Sequence, residues 1–210
     1  MNLADMRSIV RRELHDEDEC SYRWSDDELD RHISRAVKEL SEHMPCEQTA
    51  TAATTAGSRE VDVSAINGRV MVQAVEYPAG RFPRHFQRFS LWADMLTLLG
   101  EEVPDGSNAV VYYGGLHNLD AAGSTIPAYM EELVASGACG YAAVEWAVYA
   151  VNRINAGGTQ TMRDFLDWGN EKLRHFRGEL RRLGRKNRVR ARALYRPYDA
   201  PVSRSIDYGP

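Results

Sequence analysis

Between Pro127 and Asn155 the chain reads as a helix that is apolar almost all the way round. A helix with no polar face has to be covered on several sides, so it should be the most buried element. Its apolar positions are Met130, Leu133, Val134, Ala138, Tyr141, Val144, Val148 and Val151. Gly137, Ala138, Gly140, Ala142 and Ala143 are small and would let other helices approach closely. Pro127 suits the first turn after Ser124 or Thr125, and Gly157-Gly158 is a stop signal. The longest apolar run, Ala138 to Val151, is broken by Glu145 and is too short for a bilayer. No transmembrane segment is expected.

Three further segments are candidates to cover it. Met1 to Leu14 places Leu3, Met6, Val10 and Leu14 on one stripe. It also carries Asp5 and Glu13, so it lacks the apolar region of a signal peptide, and the protein is expected to be made and used in a cytoplasm. His15 to Trp24 is polar and acidic and reads as a loop. Ser25-Asp26-Asp27-Glu28 fits a capping box, in which the hydroxyl caps a free N–H and Glu28 reaches back. It opens a helix with Leu29, Ile33, Val37, Leu40 and Met44 on its apolar face, ended by Pro45. The last helix runs from Thr161 to about Leu183, with Phe165, Gly169, Leu173, Phe176, Leu180 and Leu183 along one face.

From Gln48 to Gly115 the period changes. Gln48 to Ala56, Glu60 to Val63, Arg69 to Tyr77, Phe86 to Trp92, Met95 to Leu98 and Ala109 to Tyr113 are β-rich, and Ala93-Asp94 reads as a turn. Gly57, Asn67-Gly68, Pro78 to Gly80 and Pro104 to Gly106 punctuate them. The segment predicts a small antiparallel sheet or barrel of about five strands. The fold class is therefore mainly α with a β insertion (α+β). A four-helix core comprises residues 1–46 and 116–184, an inserted β lobe 47–115, and an extended basic C-terminal tail 185–210.

Catalytic and metal-binding patterns are weak. Cys20, Cys46 and Cys139 are odd in number and far apart, which reads as free thiols. His43 and Cys46 form one loose pair, short of the paired ligands of a zinc site. A calcium loop starting at Asp16 would need glycine and glutamate where Ser21 and Asp27 stand, so Asp16 to Glu19 reads as a solvated acidic loop. There is no Gly-x-Ser-x-Gly elbow and no phosphate-binding loop pattern. His85 and His117 are the histidines around which an unrecognised active site would gather. The expectation is a protein without catalytic residues, metal or cofactor.

The strongest physical signal is charge asymmetry. Lys172 to Arg196 holds eleven Lys or Arg against the single acid Glu179, a local charge of +10 in a chain of net charge −4, which leaves −14 elsewhere. Arg181, Arg182, Arg185, Lys186, Arg188, Arg190 and Arg192 lie close together, and Tyr195, Arg196 and Tyr198 follow. Cations favour a helix C-terminus, but this cluster exceeds what that role needs. It suits an acidic protein surface, a neighbouring subunit or a nucleic acid. A nucleic-acid-binding protein with a basic C-terminal arm is therefore the alternative reading.

Three stretches resemble the head–tail connector (adaptor) proteins of tailed bacteriophages. These are Trp24-Ser25-Asp26-Asp27-Glu28-Leu29 with its helix to Met44-Pro45, Leu119 to Pro127 leading through Glu131-Glu132-Leu133 and Gly137-Ala138, and Trp168 to Leu183. The β insert is longer than in the smallest, all-helical connectors. The resemblance implies a virion protein of the neck, made in the host cytoplasm and forming a ring, typically twelve-fold, beneath the portal. Its partners would be the portal protein, other copies of itself and a tail or stopper protein, with no membrane. Genomic DNA would pass through the ring's channel without sequence-specific binding. Small residues on the central helix would permit tight packing in the ring. Arg181, Arg182, Arg185, Lys186, Arg188, Arg190, Arg192, Tyr195, Arg196 and Tyr198 would contact the portal.

Overall fold

A computed structural model describes residues 1–100, 102–150 and 162–193. Its helices are α1 (Leu3–Leu14), α2 (Asp26–His43), α3 (Ala128–Ala150) and α4 (Met162–Ala193), with seven strands between α2 and α3. The class is mixed α+β, with four helices and two small antiparallel sheets among the described residues. One compact unit comprises Met1–Cys46 and Gly115–Arg185; the other is built on Glu47–Gly114 and takes in the described residues from Lys186 onward.

In the helical unit, the chain ends of the helices follow from local chemistry. Ser25 caps α2 as expected: its Oγ accepts from Glu28 N at 3.3 Å, and its own N donates to Glu28 Oε2 at 2.8 Å. A second capping box opens α1, where Asn2 Oδ1 accepts from Asp5 N at 2.9 Å and Asp5 Oδ2 accepts from Asn2 N at 3.0 Å. His15 closes α1 in the left-handed region at φ 52°. Met6, Val10 and Leu14 of α1 pack with Leu29, Ile33, Val37 and Leu40 of α2 around Met130, Val134, Ala138 and Ala142 of α3. Burying each large aliphatic side chain stabilises the unit by roughly 1.5–3 kcal/mol.

The small residues of α3 are spent within the chain. A Cβ on Gly137 would fall 2.9 Å from the Phe176 ring, and one on Gly140 would fall 2.8 Å from Leu173. Ala138 and Ala142 are buried in the core. Gly137 and Gly140 thus let another helix approach closely, as expected, and that helix is α4 of the same chain. Val148, expected on the apolar face, is 69% exposed, because α3 presents that position outside the helical contacts. Val151, Asn155, Gly157, Gly158 and Thr161 lie outside the described residues.

Two more readings change. The acidic loop is solvated only in part: Glu17, Asp18 and Glu19 are exposed, but Asp16 is buried. The buried Arg11 guanidinium holds it at 2.7 Å and also donates to Trp24 O at 3.0 Å and Asp26 Oδ1 at 2.8 Å. Trp24, read as loop, is a core residue, stacked on Phe165 at 6.3 Å and tilted against Trp146 at 5.6 Å. The basic segment is the second case. Residues 185–193, expected to be extended, continue α4. Gly184 does not end the helix; it lets α4 pass close to His43, whose Cδ2 would lie 3.3 Å from an added Cβ. The Arg, Lys and Ala residues that follow are good helix formers.

Among the described residues the β unit has seven strands rather than about five. β1 (Cys46–Ala52), β3 (Arg69–Glu76), β4 (Phe86–Gln87) and β7 (Ala109–Gly115) form a sheet in the order β1-β7-β3-β4. β2 (Glu60–Asp62), β5 (Phe89–Trp92) and β6 (Met95–Leu98) form a second in the order β2-β6-β5. The single run Phe86 to Trp92 thus divides at Arg88 between two sheets. Val75 pairs Gln87 on one side of the break, and Phe89 pairs Leu98 on the other. The Ala93-Asp94 turn is where it was expected, with Trp92 opposite Met95 and Ala93 at φ 50°. Val61, Val63, Val75, Leu96, Leu98 and Val111 fill the core shared by the sheets.

Candidate docking face on the last helix

Because α4 is continuous through Gly184, helical geometry sorts its basic residues. Arg174, Arg177, Arg181, Arg185 and Arg188 are spaced three or four apart and share one face. The stripe is about 21 Å long at 1.5 Å per residue. Leu173, Phe176 and Leu180, which are buried, lie on a different face. Arg182 and Lys186 fall beside the stripe rather than on it.

The residues of the stripe differ electrostatically. Arg177 is engaged: its Nε lies 3.7 Å from Glu39, and its guanidinium donates to the Tyr141 hydroxyl at 3.2 Å. That hydroxyl donates in turn to Glu39 Oε1. Burial, with the Glu39 hydrogen bond second, holds the Tyr141 phenol above its ordinary value. Arg182 is paired with Glu179 at 2.6 Å, which raises its pKa through that hydrogen bond. Arg174, Arg181, Arg185, Lys186 and Arg188 are exposed and have no carboxylate within ion-pair distance among the described residues. A cleft of about 620 Å³ runs beside Arg174, Arg177 and Arg181, with Asp167, Asn170 and Glu171 at its other end.

Of the residues singled out from the sequence, the structure brings Arg181, Arg185 and Arg188 onto one line. The side chains of Arg190 and Arg192, and Tyr195, Arg196 and Tyr198 altogether, lie outside the described residues. Arg174 and Arg177 were not singled out; their spacing from Arg181 is the signal, and it is readable only once the helix is known to be unbroken. An unpaired guanidinium row offers bidentate donors to carboxylates or phosphates.

The histidines do other work. His117 links two chain segments: its Nε2 lies 2.9 Å from Met44 O, its Nδ1 3.0 Å from Thr125 O, and its backbone N donates to Ser41 Oγ at 2.9 Å. His85 Nδ1 lies 3.1 Å from Gln87 Nε2. Among the described residues no three His, Cys, Asp or Glu side chains gather as metal ligands. Burial pushes the Cys139 thiol well above its ordinary value, which disfavours the thiolate. Among the described residues no helix is long and apolar enough to cross a membrane.

No known family's sequence pattern matches the chain, and no curated protein matches it.

Proposed function

We propose that the chain is a non-catalytic virion protein, a head–tail connector (adaptor) subunit that forms a ring beneath the portal, extends the DNA channel and presents a docking surface to the tail or stopper. The observation that carries the reading is the α4 stripe, whose Arg181, Arg185 and Arg188 lack acidic partners among the described residues in a chain that carries −14 outside Lys172 to Arg196. Such a row is complementary to a carboxylate-lined partner. The resemblance supports the same assignment, since its stretches fall on the cap and first turn of α2, on the lead into α3 and on α4. The virion neck is the corresponding location.

The test is the copy number of this chain relative to the portal protein in purified virions, by quantitative mass spectrometry. A ratio near unity is expected for a ring matched to the portal. Absence from particles overturns the reading. The stripe equally favours phosphates, so a nucleic-acid-binding arm is the second reading. Its mark is duplex-DNA affinity that falls steeply with salt and is lost when the stripe is reversed in charge.

A further inference from the structure

A second basic surface lies in the β unit, far from α4 in sequence. From Pro78 to Ala93 there are three arginines, Arg81, Arg84 and Arg88, and no acid. The aromatic residues of the same stretch are Phe82, Phe86, Phe89 and Trp92. Phe82 is 92% exposed, and all three arginines are exposed. Only Arg84 has a carboxylate in reach, Glu76 at 3.9 Å; Arg81 and Arg88 have no ion pair among the described residues.

The base of this loop is firmly held. Tyr77 N donates to His85 O at 3.0 Å, and β3 pairs β4 immediately beyond. Gly80, at φ 79°, turns the chain outward, and its N donates to the buried Glu76 carboxylate at 3.2 Å. Tyr112 donates its hydroxyl to the other Glu76 oxygen at 2.7 Å and meets Phe86 edge-on at 5.6 Å. A fastened base therefore presents one bare aromatic ring between cations.

We infer that the loop from Gly80 to Phe89 binds a nucleic-acid strand, with Arg81 and Arg88 on backbone phosphates and the Phe82 ring stacked on an unpaired base. Stacking on an exposed ring combined with phosphate neutralisation is how single strands are held without sequence readout. A membrane surface fits less well. Interfacial insertion needs a cluster of apolar side chains, and within the loop from Gly80 to Phe89 Phe82 is the one large apolar side chain exposed, Leu91 and Trp92 belonging to β5 beyond it. The inference does not rest on the ring reading, and its test uses no portal or virion.

The experiment is fluorescence anisotropy of labelled oligo-dT, and of a duplex of equal length, with the full chain at salt from about 50 to 200 mM. For the single strand, Phe82→Ala should weaken binding about tenfold or more with an unchanged salt slope. Arg81→Ala with Arg88→Ala should flatten the log–log slope by about 1.4, from about 0.7 per phosphate contact. The α4 arginines are intact in every variant and set the residual slope. These exposed substitutions should leave the thermal midpoint unchanged. No binding by the wild type, or wild-type affinity and slope in both variants, overturns the inference. So does loss of binding to phosphatidylserine vesicles in Phe82→Ala while oligo-dT affinity is retained.

Discussion

Gly140 and Gly169 face each other across the α3–α4 contact. A Cβ on Gly140 would lie 3.1 Å from the Gly169 carbonyl oxygen, and one on Gly169 would lie 3.2 Å from the Gly140 carbonyl oxygen. Side chains stand closer still, Leu173 at 2.8 Å from the first Cβ and Ala143 Cβ at 3.0 Å from the second, and the facing carbonyls behind them cannot swing aside. Gly140→Ala or Gly169→Ala should destabilise the protein by about 1–3 kcal/mol through overpacking. Gly178, also on α4, has open space around it. Gly178→Ala should stabilise by up to about 1 kcal/mol, the ordinary helix-propensity gain. Urea denaturation of the three variants checks this; equal effects at all three positions would mean that helix packing is not the cause.

Arg11 is the hub of the first loop. It binds Asp16, Trp24 O and Asp26, and its guanidinium lies 3.6 Å from the centroid of the Tyr22 ring. Arg11→Met would leave the buried Asp16 carboxylate without its cation, a loss of about 3–5 kcal/mol. Arg11→Lys should recover only part of this, because one ammonium cannot reproduce the planar fork. Full recovery by lysine, in chemical denaturation, would refute the fork requirement.

His32 should make the helical unit sensitive to acid. Burial holds its imidazole below the ordinary 6.5, Glu145 and Glu28 act in the opposite direction, and Arg31 and Arg35 act with burial. The unfolded chain therefore binds a proton at His32 at a pH where the folded chain resists it. Stability should fall as pH drops below 6.5 towards the folded value. In His32→Leu that part of the pH dependence should vanish while other slopes remain. Parallel denaturation curves for the two proteins above and below pH 6.5 measure it, and identical slopes would remove His32 as the source.

The α4 stripe separates binding from folding. Reversing Arg181, Arg185 and Arg188 to glutamate removes no ion pair among the described residues, so the unfolding free energy should stay within about 0.5 kcal/mol of wild type per substitution. Capture of the portal protein by the variant should be lost. Substitution is a cleaner test than truncation at Gly184, because α4 is unbroken there and Gly184 packs on His43. Retained capture with all three charges reversed would take the stripe out of the interface.

The elements legible in the sequence are those set by short-range chemistry. The Ser25–Glu28 box and the Leu29, Ile33, Val37, Leu40 spacing define α2 because capping and helical periodicity act within a few residues. The Ala93-Asp94 turn was legible for the same reason. What the tertiary structure alone decided depends on partners distant in the chain. Phe86 to Trp92 reads as one strand, and only the competing pairings to β3 and β6 divide it. Asp16 reads as solvent-facing until Arg11 turns inward to meet it. Gly184 carries the signal of a helix end, yet the approach of His43 gives it a packing role, the helix runs on, and scattered arginines become a single row. Local propensity fixes which segments can be helix or strand; which face is buried, and therefore which charges remain free, is set by long-range packing.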